Sequence, residues 1–335
     1  MKYLLIMNPG SRDGRSKKNF ETIFSLLDSF NLDYQFKYTS KLEDAYQFSL
    51  EANQSNTYDV IVAVGGDGTI NGVLSGFYDK DGNRICKKSK MAIIYTGTSP
   101  DFCLSYNIPL KLERAVELLA KLAKSDTSYN SNSQKISIGQ INYTNGEDIN
   151  VGYFGCCANI GIGAKVAEGA NRGIRKKIGD VAGTFLSLVK ALIDYKATDF
   201  KVRVIDADGK SFTNRVEKVI NMFIGRTYYV ASGIKVANKL NFADEMDDKK
   251  FFLLIVNNLR IKSIMGLLKI LYSGKPFQNR DDLKLSYIEK IRIDCDTKDR
   301  EMGMGMVEFD GDFKGYLPCE IKMAKDKLDL ITDNF

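Results

Sequence analysis

The chain contains no histidine in 335 residues. That absence removes Ser-His-Asp and Cys-His nucleophilic machinery and argues against a zinc site, so any general base must be a carboxylate or another non-imidazole group. The six cysteines, Cys86, Cys103, Cys156, Cys157, Cys295 and Cys319, show no CxxC spacing. They are expected to be thiols packed as small apolar residues. The longest apolar run, Phe251-Phe252-Leu253-Leu254-Ile255-Val256, falls far short of the roughly 20 residues that a membrane span needs. No basic-then-apolar leader is apparent, which sets the expectation of a cytoplasmic protein. A net charge of +6 favours anionic ligands or an anionic membrane surface, but it is too small to indicate nucleic acid, and no motif for RNA or DNA is present.

What remains is a globular composition, 44% hydrophobic and 27% charged, in a chain long enough for two domains. Its most informative stretch is Val60-Ile61-Val62-Ala63-Val64-Gly65-Gly66-Asp67-Gly68-Thr69-Ile70-Asn71. Five apolar residues, mostly β-branched, read as a strand buried on both faces of a parallel sheet, and the glycines end it abruptly. Glycines allow positive φ and close approach of backbone to a ligand, while Thr69-Ile70-Asn71 reads as the first turn of a helix with N–H groups open to phosphate. Asp67 is out of place beside a phosphate unless it meets Mg²⁺ or handles a proton. Read alone, the loop is also a tight turn with Asp67 as a helix N-cap. A second strand, residues 90–95, runs into Thr96-Gly97-Thr98-Ser99-Pro100-Asp101-Phe102. Two such transitions place two carboxylates at the carboxyl edge of one sheet, where open α/β folds bind ligands.

Along the chain, residues 2–7 read as a strand followed by the cationic loop Asn8-Pro9-Gly10-Ser11-Arg12-Asp13-Gly14-Arg15-Ser16-Lys17-Lys18. This loop either wraps phosphates, with Arg15 or Lys17 supplying charge, or is a solvated turn. Helical spacing at residues 20–27, a strand at 32–38, a helix at 43–52 and an amphipathic helix at 111–124 complete an alternating pattern that argues for a doubly wound sheet. A polar run at 125–133 reads as a linker. Beyond it, residues 135–143, 150–159, 200–205, 218–225 and 250–257 read as strands separated by turns such as Asn145-Gly146, which suggests a β-rich second domain. Helical patterns interrupt it at 181–195 and 261–272, the latter with a stripe of Ile264, Leu267, Leu268 and Leu271 that serves either a core or a lipid groove. Residues 161–177, rich in glycine, lysine and arginine, read as a mobile flap for anionic headgroups or as a solvated loop.

Asn8-Pro9-Gly10-Ser11, Gly65-Gly66-Asp67-Gly68-Thr69 and Gly97-Thr98-Ser99-Pro100-Asp101-Phe102, in that order and spacing, resemble the diacylglycerol kinase catalytic family. That family includes bacterial soluble lipid kinases and the sphingosine and ceramide kinases. The similarity continues through Asn159-Ile160-Gly161-Ile162-Gly163 and Phe309-Asp310-Gly311-Asp312, so it covers nearly the whole chain. The resemblance implies an N-terminal doubly wound domain like that of NAD kinase and phosphofructokinase, over residues 1–130 with 320–335 packing back on it. A β-sandwich lipid-substrate domain would occupy 131–319.

It further implies ATP-dependent phosphorylation of a hydroxyl on a lipid such as diacylglycerol, with Mg²⁺, in phospholipid biosynthesis. The implied partner is a lipid at an anionic membrane surface, reached peripherally, and a homodimer is compatible with it. Asp67 would orient or deprotonate the acceptor hydroxyl in an interdomain cleft. Asp310 and Asp312 would stand near the reacting end, with a hairpin turn as the alternative at Asp310-Gly311. Asn8, Ser11, Arg15, Thr39, Gly65, Gly66, Gly68, Thr69, Gly97 and Thr98 would line the nucleotide, and Asp101 would hold the second loop or the metal network. The chain departs from the family pattern at Gly72, Pro100, Ser137 and Asp312. Around Asp247-Asp248-Lys249-Lys250 it lacks the Asp-Gly at which some bacterial members carry a structural Mg²⁺. Two other readings stay open: a kinase of a soluble substrate such as NAD, and a non-catalytic binder of nucleotide or lipid.

Overall fold

The computed structural model describes every residue except 12–16, 42, 125–132, 170–194, 207, 238, 240–241, 243–245, 302–303 and 334–335. Arg15, the expected linker up to residue 132, the helix at 181–195 up to residue 194, and the part of the expected flap beyond residue 169 therefore lie outside the described residues. Two compact units are present, Met1–Ile138 with Ala324–Phe335, and Gly139–Met323.

The first unit alternates strand and helix: β1 (Lys2–Met7), α1 (Phe20–Ser29), β2 (Asp33–Tyr38), α2 (Asp44–Ser55), β3 (Val60–Gly65), α3 (Asp67–Ser75), β4 (Lys90–Tyr95), α4 (Asp101–Ser105), α5 (Leu112–Lys124) and β5 (Ser133–Ile136). The chain's last strand, β17 (Leu328–Ile331), completes a sheet of order β2-β1-β3-β4-β17-β5. Strands β1 to β4 are mutually parallel, β17 is parallel to β4, and only β5 runs antiparallel. Every residue from Val60 to Val64 is fully buried, as a continuous β-branched run predicts for a central strand covered on both faces. One covering layer packs Phe20, Ile23 and Leu27 of α1 with Val116, Leu119 and Leu122 of α5 against β1, β3 and β4. The order reverses direction at β1, whose neighbours are β2 and β3. The carboxyl edge beside that reversal is where open α/β sheets bind their ligands.

The second unit comprises β6 (Gly139–Asn145), β7 (Asp148–Phe154), β8 (Cys157–Gly161), α6 (Ile162–Gly169), β9 (Thr198–Asp206), β10 (Ser211–Gly225), the short pair β11 (Tyr229–Val230) and β12 (Ile234–Lys235), β13 (Phe251–Asn257), α7 (Ile264–Ser273), β14 (Leu283–Cys295), α8 (Thr297–Glu301), β15 (Met306–Phe309) and β16 (Asp312–Met323). It is β-rich and antiparallel, as expected. Nine strands form one sheet, order β13-β14-β9-β10-β8-β15-β16-β6-β7, and extra pairings β13–β10 and β14–β16 fold it back on itself. Its layers thus come from a single sheet. One face holds Phe154, Phe200, Phe251, Phe309 and their aliphatic neighbours. On the other, Ile264, Leu267, Leu268 and Leu271 of α7 are buried against Phe252, Leu254 and Leu283. The α7 stripe is core packing.

Three expected elements differ. The strand at 135–143 is two strands, β5 and β6, in different sheets. The strand at 150–159 breaks at Gly155-Cys156 into β7 and β8. The glycine-rich segment after Gly161 begins as helix α6 rather than as a loop. All six cysteines are buried, and none forms a disulfide.

Candidate active site

At the carboxyl edge of the first sheet, backbone bonds carry the pairing one step beyond the strands. Asn8 N–H donates to Val64 O, Thr96 N–H to Gly65 O and Thr39 N–H to Met7 O, each at 2.9 Å. Side chains then lock the loops together. Asn8 Nδ2 donates to Thr69 Oγ1 at 3.0 Å and its Oδ1 accepts from Gly10 N–H at 2.9 Å, while Ser11 Oγ donates to Thr96 O at 3.2 Å. The loop after β1 is thereby fastened to both glycine loops.

The glycines are required by contact, not by handedness. None of Gly65, Gly66 and Gly97 has positive φ, contrary to the first expectation. A Cβ on Gly97 would stand 2.6 Å from Gly66 Cα and 2.7 Å from the Tyr95 hydroxyl, and one on Gly65 would stand 2.3 Å from Thr69 Oγ1. Any side chain at Gly97 or Gly65 would force the loops apart.

Gly66 is the N-cap of α3, and Asp67 is the first helical residue, so the reading of Asp67 as N-cap is not what the backbone shows. The helix opens with N–H groups that its own turns cannot satisfy, beside Gly66 and Gly97. Asp101 likewise begins α4 and is buried. Both carboxylates act electrostatically on the Tyr95 phenol, and Asp67 also acts on the Cys103 thiol. Burial first, then these negative charges, drive the phenol and the thiol far up in pKa, so both stay protonated. Tyr95 OH and Thr96 Oγ1 are buried without a hydrogen-bond partner, polar atoms left over at the end of β4 under the second loop. Thr39 is buried and Thr98 is exposed. Asn8, Ser11, Thr39, Gly65, Gly66, Asp67, Gly68, Thr69, Gly97, Thr98 and Asp101 thus gather at one sheet edge.

Asp310 and Asp312 belong to the second unit. Asp310 and Gly311 have φ of +47° and +92° and form a two-residue turn between β15 and β16, whose ends pair as Phe309↔Asp312. The turn is the hairpin kind that requires left-handed backbone. The Asp310 carboxylate accepts from the N–H groups of Gly155 (2.9 Å), Cys156 (2.9 Å) and Cys157 (3.3 Å), satisfying the break between β7 and β8. Asp312 lies 3.5 Å from Lys314 Nζ.

Sequence reasoning missed Tyr95, Thr96 and, in the second unit, Glu308. Glu308 alternates with the buried Val307 and Phe309, and a lone acid inside the apolar strand Met-Val-Glu-Phe is the signal that it faces an interior. At 247–250, where the sequence lacks the expected Asp-Gly, the turn is held by side chains of the unit itself. The Arg226 guanidinium donates to the carbonyls of Asp247 and Lys250, Lys249 and Lys250 N–H groups occupy Asp247 Oδ1 at 2.8 and 3.1 Å, and Lys250 Nζ pairs with Asp247 Oδ2 at 3.3 Å.

Residues 2–129 match the family model of the diacylglycerol kinase catalytic domain. That stretch resembles the family. A diacylglycerol kinase of Staphylococcus aureus (strain bovine RF122 / ET3-1) is 24% identical over 336 residues, spanning 98% of this chain and 92% of its own. A diacylglycerol kinase structure from Bacillus anthracis str. Sterne superposes with a TM-score of 0.65 at 18% identity, over 99% of this chain and 97% of its own. The structure of yeast NADH kinase complexed with NADH gives 0.53 at 9% identity, over 100% and 84%. The fold is therefore that of the diacylglycerol kinases and, more distantly, of NADH kinase. Among the described residues no helix is long and apolar enough to cross a membrane.

Proposed function

We propose that the chain is an ATP-dependent lipid kinase that phosphorylates a hydroxyl of a lipid such as diacylglycerol. The observation that carries this reading is the bound-together set of three loops at the β1/β3 switch point, with Gly66 against Gly97 and Asp67 at the open end of α3. Phosphoryl transfer needs positioning and charge neutralisation more than covalent chemistry, so a site without histidine suffices.

The glycine backbones and the first N–H groups of α3 suit the triphosphate. Asn8, Ser11 and Thr69 keep the loops in register for it, and Arg15 is assigned to the phosphates by family resemblance. A Mg²⁺ bound with the nucleotide would take most of its ligands from nucleotide oxygens and water and would neutralise charge on the transferred phosphoryl group. Accordingly, a three-carboxylate cluster is not required, and none is found among the described residues. Asp67 orients or deprotonates the acceptor hydroxyl, and Asp101 steadies the second loop. Asp310 is assigned to holding the 155–157 loop of the unit to which we assign the lipid. The net charge of +6 suits a peripheral encounter with anionic lipid.

The test is incubation of purified protein with labelled ATP, Mg²⁺ and diacylglycerol, sphingoid, ceramide, phosphatidylglycerol and polyprenol acceptors, with NAD as a soluble control. A labelled lipid product supports the proposal. Phosphorylation of NAD alone, or nucleotide binding with no labelled lipid, overturns it.

A further inference from the structure

Glu308 is a buried acid of the second unit. Its Oε1 accepts from Gly311 N–H at 2.5 Å, and its Oε2 accepts from Asn159 Nδ2. Asn159 Oδ1 in turn accepts from Asn221 Nδ2 at 3.2 Å, and Asn221 Oδ1 accepts from Gly163 N–H at 2.9 Å. One line of hydrogen bonds therefore joins the Asp310-Gly311-Asp312 turn, β15, β8, β10 and the first turn of α6. Gly163 fits closely over it. A Cβ there would lie 3.1 Å from both Asn159 Cβ and Asn221 Oδ1.

The direction of the line is set at its far end. A backbone N–H can only donate, so Asn221 must turn its oxygen to Gly163 and its nitrogen to Asn159, and Asn159 must do likewise towards Glu308. Glu308 is left accepting at both oxygens, which a carboxylate does and a carboxylic acid cannot do without stranding its own proton. When Glu308 carries a proton, Asn159 has to present its oxygen, Asn221 follows, and Asn221 Nδ2 then faces Gly163 N–H, donor against donor. The helix loses its cap.

We propose that Glu308 is a positioning residue that couples the Asp310-Gly311-Asp312 turn to the start of α6, holding the helix when charged and releasing it when protonated. The groups around it fit that role. Burial pushes its carboxyl up to about 8, opposed by the bonds from Gly311 and Asn159 and assisted by the negative charges of Asp310 and Asp312. From β8 and β10 it meets the neutral amides of Asn159 and Asn221, with the Cys157 thiol 3.6 Å from Asn159 Nδ2. On α6 the described cation, Lys165, is exposed and stands over the Tyr195 ring at 6.0 Å. Beyond Asp312, Lys314 lies 3.5 Å away from that carboxylate.

The proposal goes beyond the kinase reading, and its test needs no substrate. Hydrogen–deuterium exchange of the full chain is followed in peptides covering residues 159–166, at about pH 6.5 and about pH 9, on either side of the raised carboxyl. After correction for intrinsic exchange, the wild type is expected to exchange roughly five-fold more slowly at the higher pH, the weight of one hydrogen bond. Glu308→Gln should exchange at both pH values as the wild type does at the lower one. Asn221→Ala removes the cap while leaving the carboxyl in place, and it should exchange fast throughout. A wild type indifferent to pH, or a pH response that survives in Glu308→Gln or Asn221→Ala, overturns the proposal.

Discussion

Asp67 and Gly97 are legible in the sequence, because glycine and a stray acid at the end of an apolar run are local signals. The reason for the glycines was not. The crowding of Gly97 on Gly66 is a contact between loops 31 residues apart, which no local pattern carries. Gly97→Ala should therefore weaken ATP binding at least tenfold and cost about 1–3 kcal/mol of stability, the range for overpacking, measured by titration calorimetry and urea denaturation. An alanine variant that binds ATP like the wild type would remove the loop contact from the account. Tyr95 offers the opposite sign. Its hydroxyl is buried without a partner, and an unmet buried polar group costs about 1–3 kcal/mol, so Tyr95→Phe should leave the protein as stable or more stable. Glu308 sets a pH dependence. Its folded pKa is raised from 4.5 to about 8, so the folded state holds a proton that the unfolded chain releases. Stability from this group is present below about pH 4.5 and falls as pH rises to about 8. Urea midpoints of the wild type should decline across that window more than those of Glu308→Gln; parallel curves would contradict the assignment.

At the scale of elements, the buried parallel strands were read from sequence to within a residue or two because β-branched runs such as Val60–Val64 have one reading. Other strands were hidden. Strand β14 escaped because its exposed residues are the polar Lys284, Ser286 and Arg292, and a register shift between Ile288 and Lys290 disrupts the alternation that would have marked it. The run at 135–143 looked like one strand because its pattern does not change where the chain passes from one sheet to another. Nor did sequence disclose what holds β17 between β4 and β5. Arg84 is buried, its Nη1 2.5 Å from Asp329 Oδ2, and its Nη2 donates to the carbonyls of Cys86 and Ser89. Its backbone N–H donates to Asp326 Oδ2 at 2.7 Å. Arg84→Ala should destabilise the first unit by about 3 kcal/mol, since Asp329 is left without its cation. Arg84→Lys should rescue little of this, because an ammonium cannot reproduce the forked contacts. Faster amide exchange confined to β17 and β5 is the local signature; unchanged exchange there would show that the strand is held by its ladder alone.

Across the whole molecule, composition excluded more than it identified: no imidazole chemistry, no apolar span, no disulfide framework. The ordered motifs then supplied the family, and the comparisons bear it out over residues 2–129. What composition could not supply is the way the turn at 247–250 is held, because Arg226 and Lys250 are brought there by the end of β10 and the turn before β13. Chelation with EDTA in the absence of nucleotide should accordingly leave the thermal midpoint unmoved, and a fall of several degrees would contradict that description. The central claim is that the glycine loops hold a triphosphate and that Asp67 directs its transfer. The most direct measurement is the rate at which wild type and Asp67→Asn, both shown folded by circular dichroism, move labelled phosphate from ATP to diacylglycerol. The account predicts a labelled lipid with the wild type and a rate lower by about 10²- to 10⁴-fold in the variant, the weight of a positioned base. Equal rates in the two proteins would contradict it.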